Sequence, residues 1–142
     1  MPELPEVETT RRGLQQALQD KRIEQVEVCR RDLRWPIADE FEELLTGQKL
    51  IHFQRVGKYF TLDLENGHSV LAHLGMSGTF RVEPSMPQAL RKHDHVVLLM
   101  DSKEVAIYND PRRFGCLLFC QDEVGNHSLL AKLGPEPLSA DD

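Results

Sequence analysis

The chain has 142 residues, enough for one domain with a real core, and its 40% hydrophobic and 28% charged content is ordinary for a globular protein. Seventeen Lys and Arg against 23 Asp and Glu leave a net charge of −6, which argues against a stand-alone nucleic-acid binder. No apolar run approaches the roughly 20 residues of a membrane span, and the acidic, amphipathic start is not a signal peptide.

At the start, Pro2 is followed directly by Glu3 in Met1-Pro2-Glu3-Leu4-Pro5-Glu6-Val7-Glu8. With Met1 removed, Pro2 becomes a secondary amine with a carboxyl group beside it, and an α-amino group has an ordinary pKa of about 7.7–8. Such an amine can attack a sugar or carbonyl carbon to give an iminium, with the carboxyl as the acid/base group. With Met1 attached, the Pro2 nitrogen is a tertiary amide and inert. The competing reading is that proline near a start codon is common and that Pro5 simply opens a helix.

Pro5 fits a first helical position, and Leu4 before it is biased away from helix. Glu6 and Glu8 suit the first turn, and Val7, Thr10, Leu14, Ala17 and Leu18 form the apolar stripe of a helix running to about Asp20. Pro2 and Glu3 then sit just outside a helix N-terminus, a place that favours anions. From Ile23 the period changes to two. It predicts strands over 23–30, 49–55, 59–64, 69–74, 79–82, 95–100, 104–108 and 116–120. Short helices are expected over 39–45 and 128–133, Asn66-Gly67 signals a two-residue hairpin, and 83–88 is a loop. The fold class is α+β, mainly β: an antiparallel sandwich or barrel-like domain flanked by the N-terminal helix. Residues 1–134 read as one domain, and 135–142 as the start of an interdomain linker.

Cys29, Cys116 and Cys120 are odd in number and lack a CxxC pairing, which suits a reducing cytoplasm and gives no zinc signature. His93-Asp94-His95 puts two imidazoles on one strand face without a further ligand cluster, so metal binding is not predicted. A phosphate or polar loop role suits His93 better. Bases cluster in pairs, including Arg30-Arg31, Arg91-Lys92 and Arg112-Arg113, so one basic face on an acidic domain stands beside a plain scatter of solvated charges.

Three loops carry chemistry. Met76 lies between Gly75 and Gly78, where it either projects or packs under its own loop. Lys58 follows Gly57 at a strand start and is either a phosphate contact or a solvated surface charge. In Asn109-Asp110-Pro111-Arg112-Arg113-Phe114-Gly115, a turn displays two guanidinium groups beside an aromatic ring. Arginine can grip a phosphate or base edge, and phenylalanine can wedge between base pairs. Against this, Phe114 could fold into the core while the arginines meet Asp63 or Glu65.

These segments, with Lys92-His93-Asp94-His95 and Leu133-Gly134-Pro135-Glu136-Pro137-Leu138, occur in order along nearly the whole chain. Together they resemble the formamidopyrimidine-DNA glycosylases, bacterial base-excision enzymes for oxidised purines such as 8-oxoguanine. The resemblance implies a bifunctional glycosylase/AP lyase in which Pro2 attacks C1′, Glu3 is the general acid/base, and β,δ-elimination follows. It gives Lys58 a phosphate contact and proton-donor role and puts Glu6 in support. It places His73 and His93 on the DNA backbone. Met76, Arg112 and Phe114 would fill the space left by a flipped nucleotide, Arg112 facing the orphaned cytosine.

The family's second half, a helix–two-turn–helix region and a four-cysteine zinc finger, is absent from these 142 residues. No cofactor is therefore expected here, one zinc ion belongs to the missing finger, and the fragment alone is expected to be weak or inactive. Damaged double-stranded DNA is the implied partner of a monomeric, cytoplasmic, nucleoid-associated bacterial protein with no membrane association. The alternatives are an endonuclease VIII-like enzyme for oxidised pyrimidines and a non-catalytic DNA- or protein-binding module.

Overall fold

The structure is a computed structural model, and it describes residues 4–120. Helix α1 (Leu4–Leu18) is followed by β1 (Ile23–Val28), a short α2 (Phe41–Leu45), β2 (Leu50–Val56), β3 (Tyr59–Leu64) and β4 (Ser69–His73). Then come β5 (Thr79–Glu83), β6 (Asp94–Met100), β7 (Val105–Asn109) and β8 (Cys116–Cys120). The helix at 128–133, the linker at 135–142 and residues Pro2 and Glu3 lie outside the described residues.

Two four-stranded sheets form, ordered β1-β6-β7-β5 and β2-β3-β4-β8, and every strand pair is antiparallel. Their facing residues make one core, with Val26, Val96, Leu98 and Ala106 from the first sheet and Phe53, Phe60, Leu62 and Val70 from the second. Alternation sends these side chains inward. Val7, Leu14 and Leu18 of α1 and Phe41 and Leu45 of α2 join the same cluster, so both amphipathic helices spend their apolar faces on it.

Strand positions match the sequence pattern to within one or two residues, and the misses have local causes. β1 stops at Val28 because Cys29 N–H and Arg30 N–H both turn to one acceptor, the His95 carbonyl, at 2.7 and 3.4 Å. Helix α1 includes Leu4, and it ends at Leu18 ahead of Asp20, which takes a left-handed φ of 66°. The hairpin around Asn66-Gly67 is a three-residue loop rather than a two-residue one. Leu64 N–H donates to the His68 carbonyl at 2.8 Å, leaving Glu65, Asn66 and Gly67 in the turn. Only Gly67 is left-handed there (φ 92°), and Asn66 uses its side-chain oxygen to accept His68 N–H at 3.0 Å. A type I turn closed by a left-handed glycine wins over the tighter primed turn.

The topology has a directional consequence. Glu8 pairs with Arg55 at 3.4 Å, Arg11 Nη1 donates to the Phe53 carbonyl at 2.9 Å, and Asp20 N–H donates to the Leu50 carbonyl at 2.7 Å. Helix α1 therefore runs antiparallel to β2. Its N-terminal end points toward the Gly57-Lys58 turn.

Candidate nucleic-acid interface

Two connections change sheet at that same end of the sandwich. Leu74–Gly78 carries the chain from β4 to β5, and Asp110–Gly115 carries it back from β7 to β8. Because His73 pairs with Cys116 and Thr79 with Asn109, the two crossovers run side by side. The Gly57-Lys58 turn joins them, since Tyr59 pairs with His73. The loop before β6 joins from the other sheet, where Asp94 pairs with Asn109 and Asp110 N–H donates to the His93 carbonyl at 3.1 Å. The fold thus gathers Lys58, His73, Met76, His93, Arg112 and Phe114 at one end, with α1 aimed toward them.

Met76 and Phe114 are 55% and 44% exposed, so both project instead of packing under their loops. Arg112 lies between them. Its guanidinium carbon is 4.9 Å from the Phe114 ring centroid, and its Nη1 donates to Met76 Sδ at 3.9 Å. The alternative that Phe114 enters the core and the arginines meet Asp63 or Glu65 does not hold. Arg113 instead pairs with Asp32, Glu65 pairs with Arg22, and Gln54 donates to Asp63. Among the described residues no carboxylate contacts Arg112. An arginine resting on a ring and a thioether keeps its hydrogen-bond donors available to a ligand.

The crossovers fit closely enough to need glycine. A Cβ on Gly115 would lie 2.1 Å from the Tyr108 hydroxyl and 2.5 Å from the His73 carbonyl. A Cβ on Gly75 would meet the Gly115 nitrogen and the Phe114 carbonyl carbon at 2.7 Å each, at a φ of 64°. The third glycine of the pair of loops, Gly78, has its Cβ direction closed by the Leu74 carbonyl at 2.3 Å.

His73 is 5% exposed in β4, its ring centroid 4.7 Å from that of Tyr59, and its Nδ1 accepts Gly75 N–H at 3.1 Å. Its described task is to fix the start of the Met76 loop. His93 is half-buried with a left-handed φ of 71°, next to the buried Asp94. Asp94 is held bidentately by Arg81 at 2.8 and 2.7 Å and also accepts Arg91 N–H at 2.7 Å and Asn109 Nδ2 at 2.8 Å. The Arg81 hydrogen bonds, against the cost of burial, keep its carboxyl down at about 2. The middle residue of the His-Asp-His run is therefore a strut. The described residues contain no group of three or more side chains placed for a metal.

Lys58 is half-buried in the two-residue β2–β3 turn, where Gly57 takes the left-handed position at φ 63°. Glu6 is exposed on the first turn of α1. Glu8, two residues further, accepts from Arg11 and Arg12, and chiefly the Arg11 hydrogen bond brings its carboxyl down to about 2. The basic residues do not form one continuous face. Arg22, Lys21, Lys103, Arg31 and Arg81 are each spent on a carboxylate.

The chain's first 117 residues match the family model for the formamidopyrimidine-DNA glycosylase N-terminal domain. The chain belongs to that family. Among curated relatives, the formamidopyrimidine-DNA glycosylase of Xanthomonas oryzae pv. oryzae is 52% identical over 141 residues, covering 98% of this chain and 51% of the relative. The Xanthomonas campestris pv. campestris protein is 52% identical over 140 residues, covering 99% and 51%. Among solved structures, Lactococcus lactis formamidopyrimidine-DNA glycosylase bound non-covalently to DNA with an AP site superposes with a TM-score of 0.82 at 30% identity, covering 99% of this chain and 54% of that one. A Lactococcus lactis complex with FAPY-dG DNA gives 0.77 at 27% identity, covering 92% and 47%. The chain spans about half the length of the curated relatives it matches.

Proposed function

We propose that this chain is the N-terminal catalytic half of a DNA glycosylase/AP lyase that removes oxidised purines from duplex DNA. The observation that carries the reading is the exposed Met76–Arg112–Phe114 cluster at the end of the sandwich toward which the N-terminal end of α1 points. A flipped nucleotide costs a few kcal/mol of lost stacking and pairing, and a wedge, a hydrogen-bonding fork and a gap filler together offset it. Phe114, Arg112 and Met76 are these three groups. Arg112 presents a planar fork to an orphaned cytosine.

In this reading Pro2, freed of Met1, attacks C1′ of the damaged nucleotide and the base departs. Glu3 protonates the sugar as its ring opens. The resulting iminium acidifies the C2′ proton, so the 3′ and then the 5′ phosphate are eliminated and Pro2 is released by hydrolysis. Lys58, in the turn beside the site, contacts phosphate and supplies a proton in elimination, with Glu6 in support. His93 reaches the DNA backbone from its left-handed loop position, and the buried His73 supports the same surface by holding Gly75 N–H at the start of the Met76 loop. The 142 residues alone bind DNA weakly and excise little, because the rest of the grip belongs to the other half of the family's architecture. Robust cleavage of 8-oxoguanine duplexes by the purified chain would overturn that statement.

One observation favours a broader lesion range. A further structure of the Lactococcus lactis glycosylase, 28% identical with a TM-score of 0.79 over 93% of this chain, was solved with DNA containing an oxidised pyrimidine.

Borohydride reduction in the presence of abasic-site DNA tests the core claim. A chain beginning at Pro2 gives a covalent adduct; absence of the adduct, with Met1 shown to be removed, rejects the catalytic reading in favour of a non-catalytic module. Pro2→Gly keeps an amine and some lyase chemistry, whereas Glu3→Gln loses excision first. The reverse ranking contradicts the assigned roles.

A further inference from the structure

Asp110 lies between the two crossovers with none of its surface exposed, and its carboxylate receives four donors. Oδ1 accepts Ser77 Oγ–H at 2.7 Å and Arg113 N–H at 3.1 Å, while Oδ2 accepts the Tyr108 hydroxyl at 2.6 Å and Gly115 N–H at 2.9 Å. Ser77 Oγ in turn accepts Arg112 N–H at 3.2 Å, and His95 Nε2 donates to the Asp110 carbonyl at 2.7 Å. One side chain is thus bonded to the Met76 loop, to both backbone flanks of Phe114, and through Ser77 to the backbone of Arg112.

A buried charge is costly unless its lone pairs are filled, and here each oxygen has two partners. A turn that only needed closing would be served by local bonds such as that from Arg113 N–H to the Asp110 carbonyl at 3.2 Å. The Ser77 bond spans 33 residues of sequence and joins the two loops whose exposed tips touch each other. We infer that Asp110, with Ser77 and Tyr108, is a positioning group that holds Met76, Arg112 and Phe114 as one preformed unit for occupying the gap left by an extruded nucleotide. It touches no DNA and acts through the three side chains that do, and the inference rests on the DNA reading proposed above. Preforming the unit removes the ordering cost of two loops from the moment of binding.

Asp110→Asn keeps the volume. Whichever way its amide is turned, the NH2 group faces either the Arg113 or the Gly115 backbone N–H, so one bond to the loop is lost. The test uses the whole chain, processed to Pro2, and two abasic-site probes under borohydride: a duplex with the site opposite dC, and the same strand single-stranded. Only the duplex has an orphaned base and a gap to fill. Asp110→Asn should trap the duplex about tenfold less well, the equivalent of one charge-assisted hydrogen bond, while single-strand trapping stays unchanged.

Equal losses on both probes would make Asp110 a fold-stability residue only, and unchanged duplex trapping would also overturn the inference. Ser77→Ala, which removes no buried charge, repeats the test if Asp110→Asn does not fold, with a smaller loss in the same direction. Amide hydrogen exchange read on the free proteins supplies an arm that needs no chemistry. Faster exchange confined to 75–78 and 112–115 supports the positioning role, and exchange that rises equally in the strands overturns it. If the unaltered chain traps neither probe, the DNA reading fails by itself and the exchange arm still decides what Asp110 holds.

Discussion

The two ends of the sandwich treat charge in opposite ways. At the far end, where β3–β4 and β6–β7 turn, cations and carboxylates are matched: Lys21 with Glu104, Arg22 with Glu65 at 2.7 Å, and Lys103 with Glu24 at 3.2 Å. At the crossover end the carboxylates Asp110 and Asp94 are turned inward on backbone N–H, hydroxyl, amide and Arg81 donors. Arg112 is left with a ring and a sulfur. A net charge of −6 therefore says little about where an anion could bind, because Arg112 is left without a carboxylate among the described residues while the far-end cations named above are each paired.

Glycine substitutions separate the ends most strongly. Gly115→Ala forces a Cβ into the Tyr108 hydroxyl and the His73 carbonyl, so thermal unfolding should show a loss of about 3 kcal/mol, the upper range for overpacking. Gly67→Ala at the far end has open space around its Cβ and only an unfavourable φ of 92°, so it should cost about 1 kcal/mol. Equal losses would mean that the crossovers are less tightly fitted than described.

Arg112→Ala should weaken binding to an abasic-site duplex at low salt by about 1–3 kcal/mol, the worth of a good base-edge fork. Arg22→Ala should leave that affinity unchanged and alter stability by at most about 1 kcal/mol, as exposed ion pairs do. A larger effect from Arg22 would place the DNA-contacting surface at the wrong end.

Acid titration sharpens the comparison further. Asp94 is held at about 2, below its ordinary 3.8, so its ionised form favours the folded state. That contribution is complete above about pH 4 to 5 and is lost as pH falls from 3.8 toward 2. Asp94→Asn should remove this part of the acid-unfolding profile while lowering stability at neutral pH. A variant with the original slope between pH 4 and 2 would show that Asp94 is not the group responsible.

Much of this was legible in the chain. Period-two runs found all eight described strands because alternation records which face is buried. Glycines around Met76 and the Arg-Arg-Phe turn marked the exposed cluster, since residues with no local apolar support tend to project. Strand order was not legible: β1 pairs with β6, some 70 positions later in the chain, with Val28 opposite Val96. Asp110 was readable only as a turn opener, because Asp-Pro says nothing about Ser77 across the gap. The His93-Asp94-His95 run was legible only as two imidazoles without a ligand cluster, and only Arg81, 13 residues from Asp94, shows Asp94 to be a strut.

The paired crossovers also matter mechanically. Both direct backbone connections between the sheets at the crossover end are short and adjacent, whereas at the far end the turns stay within a sheet. A load applied to Phe114 is therefore passed into covalent backbone that enters both sheets. The far end is joined across the sheets in another way, by backbone hydrogen bonds from Ile23 N–H to the Gln48 carbonyl at 2.8 Å and from Leu50 N–H to the Lys21 carbonyl at 3.0 Å, so the sandwich is pinned at both ends.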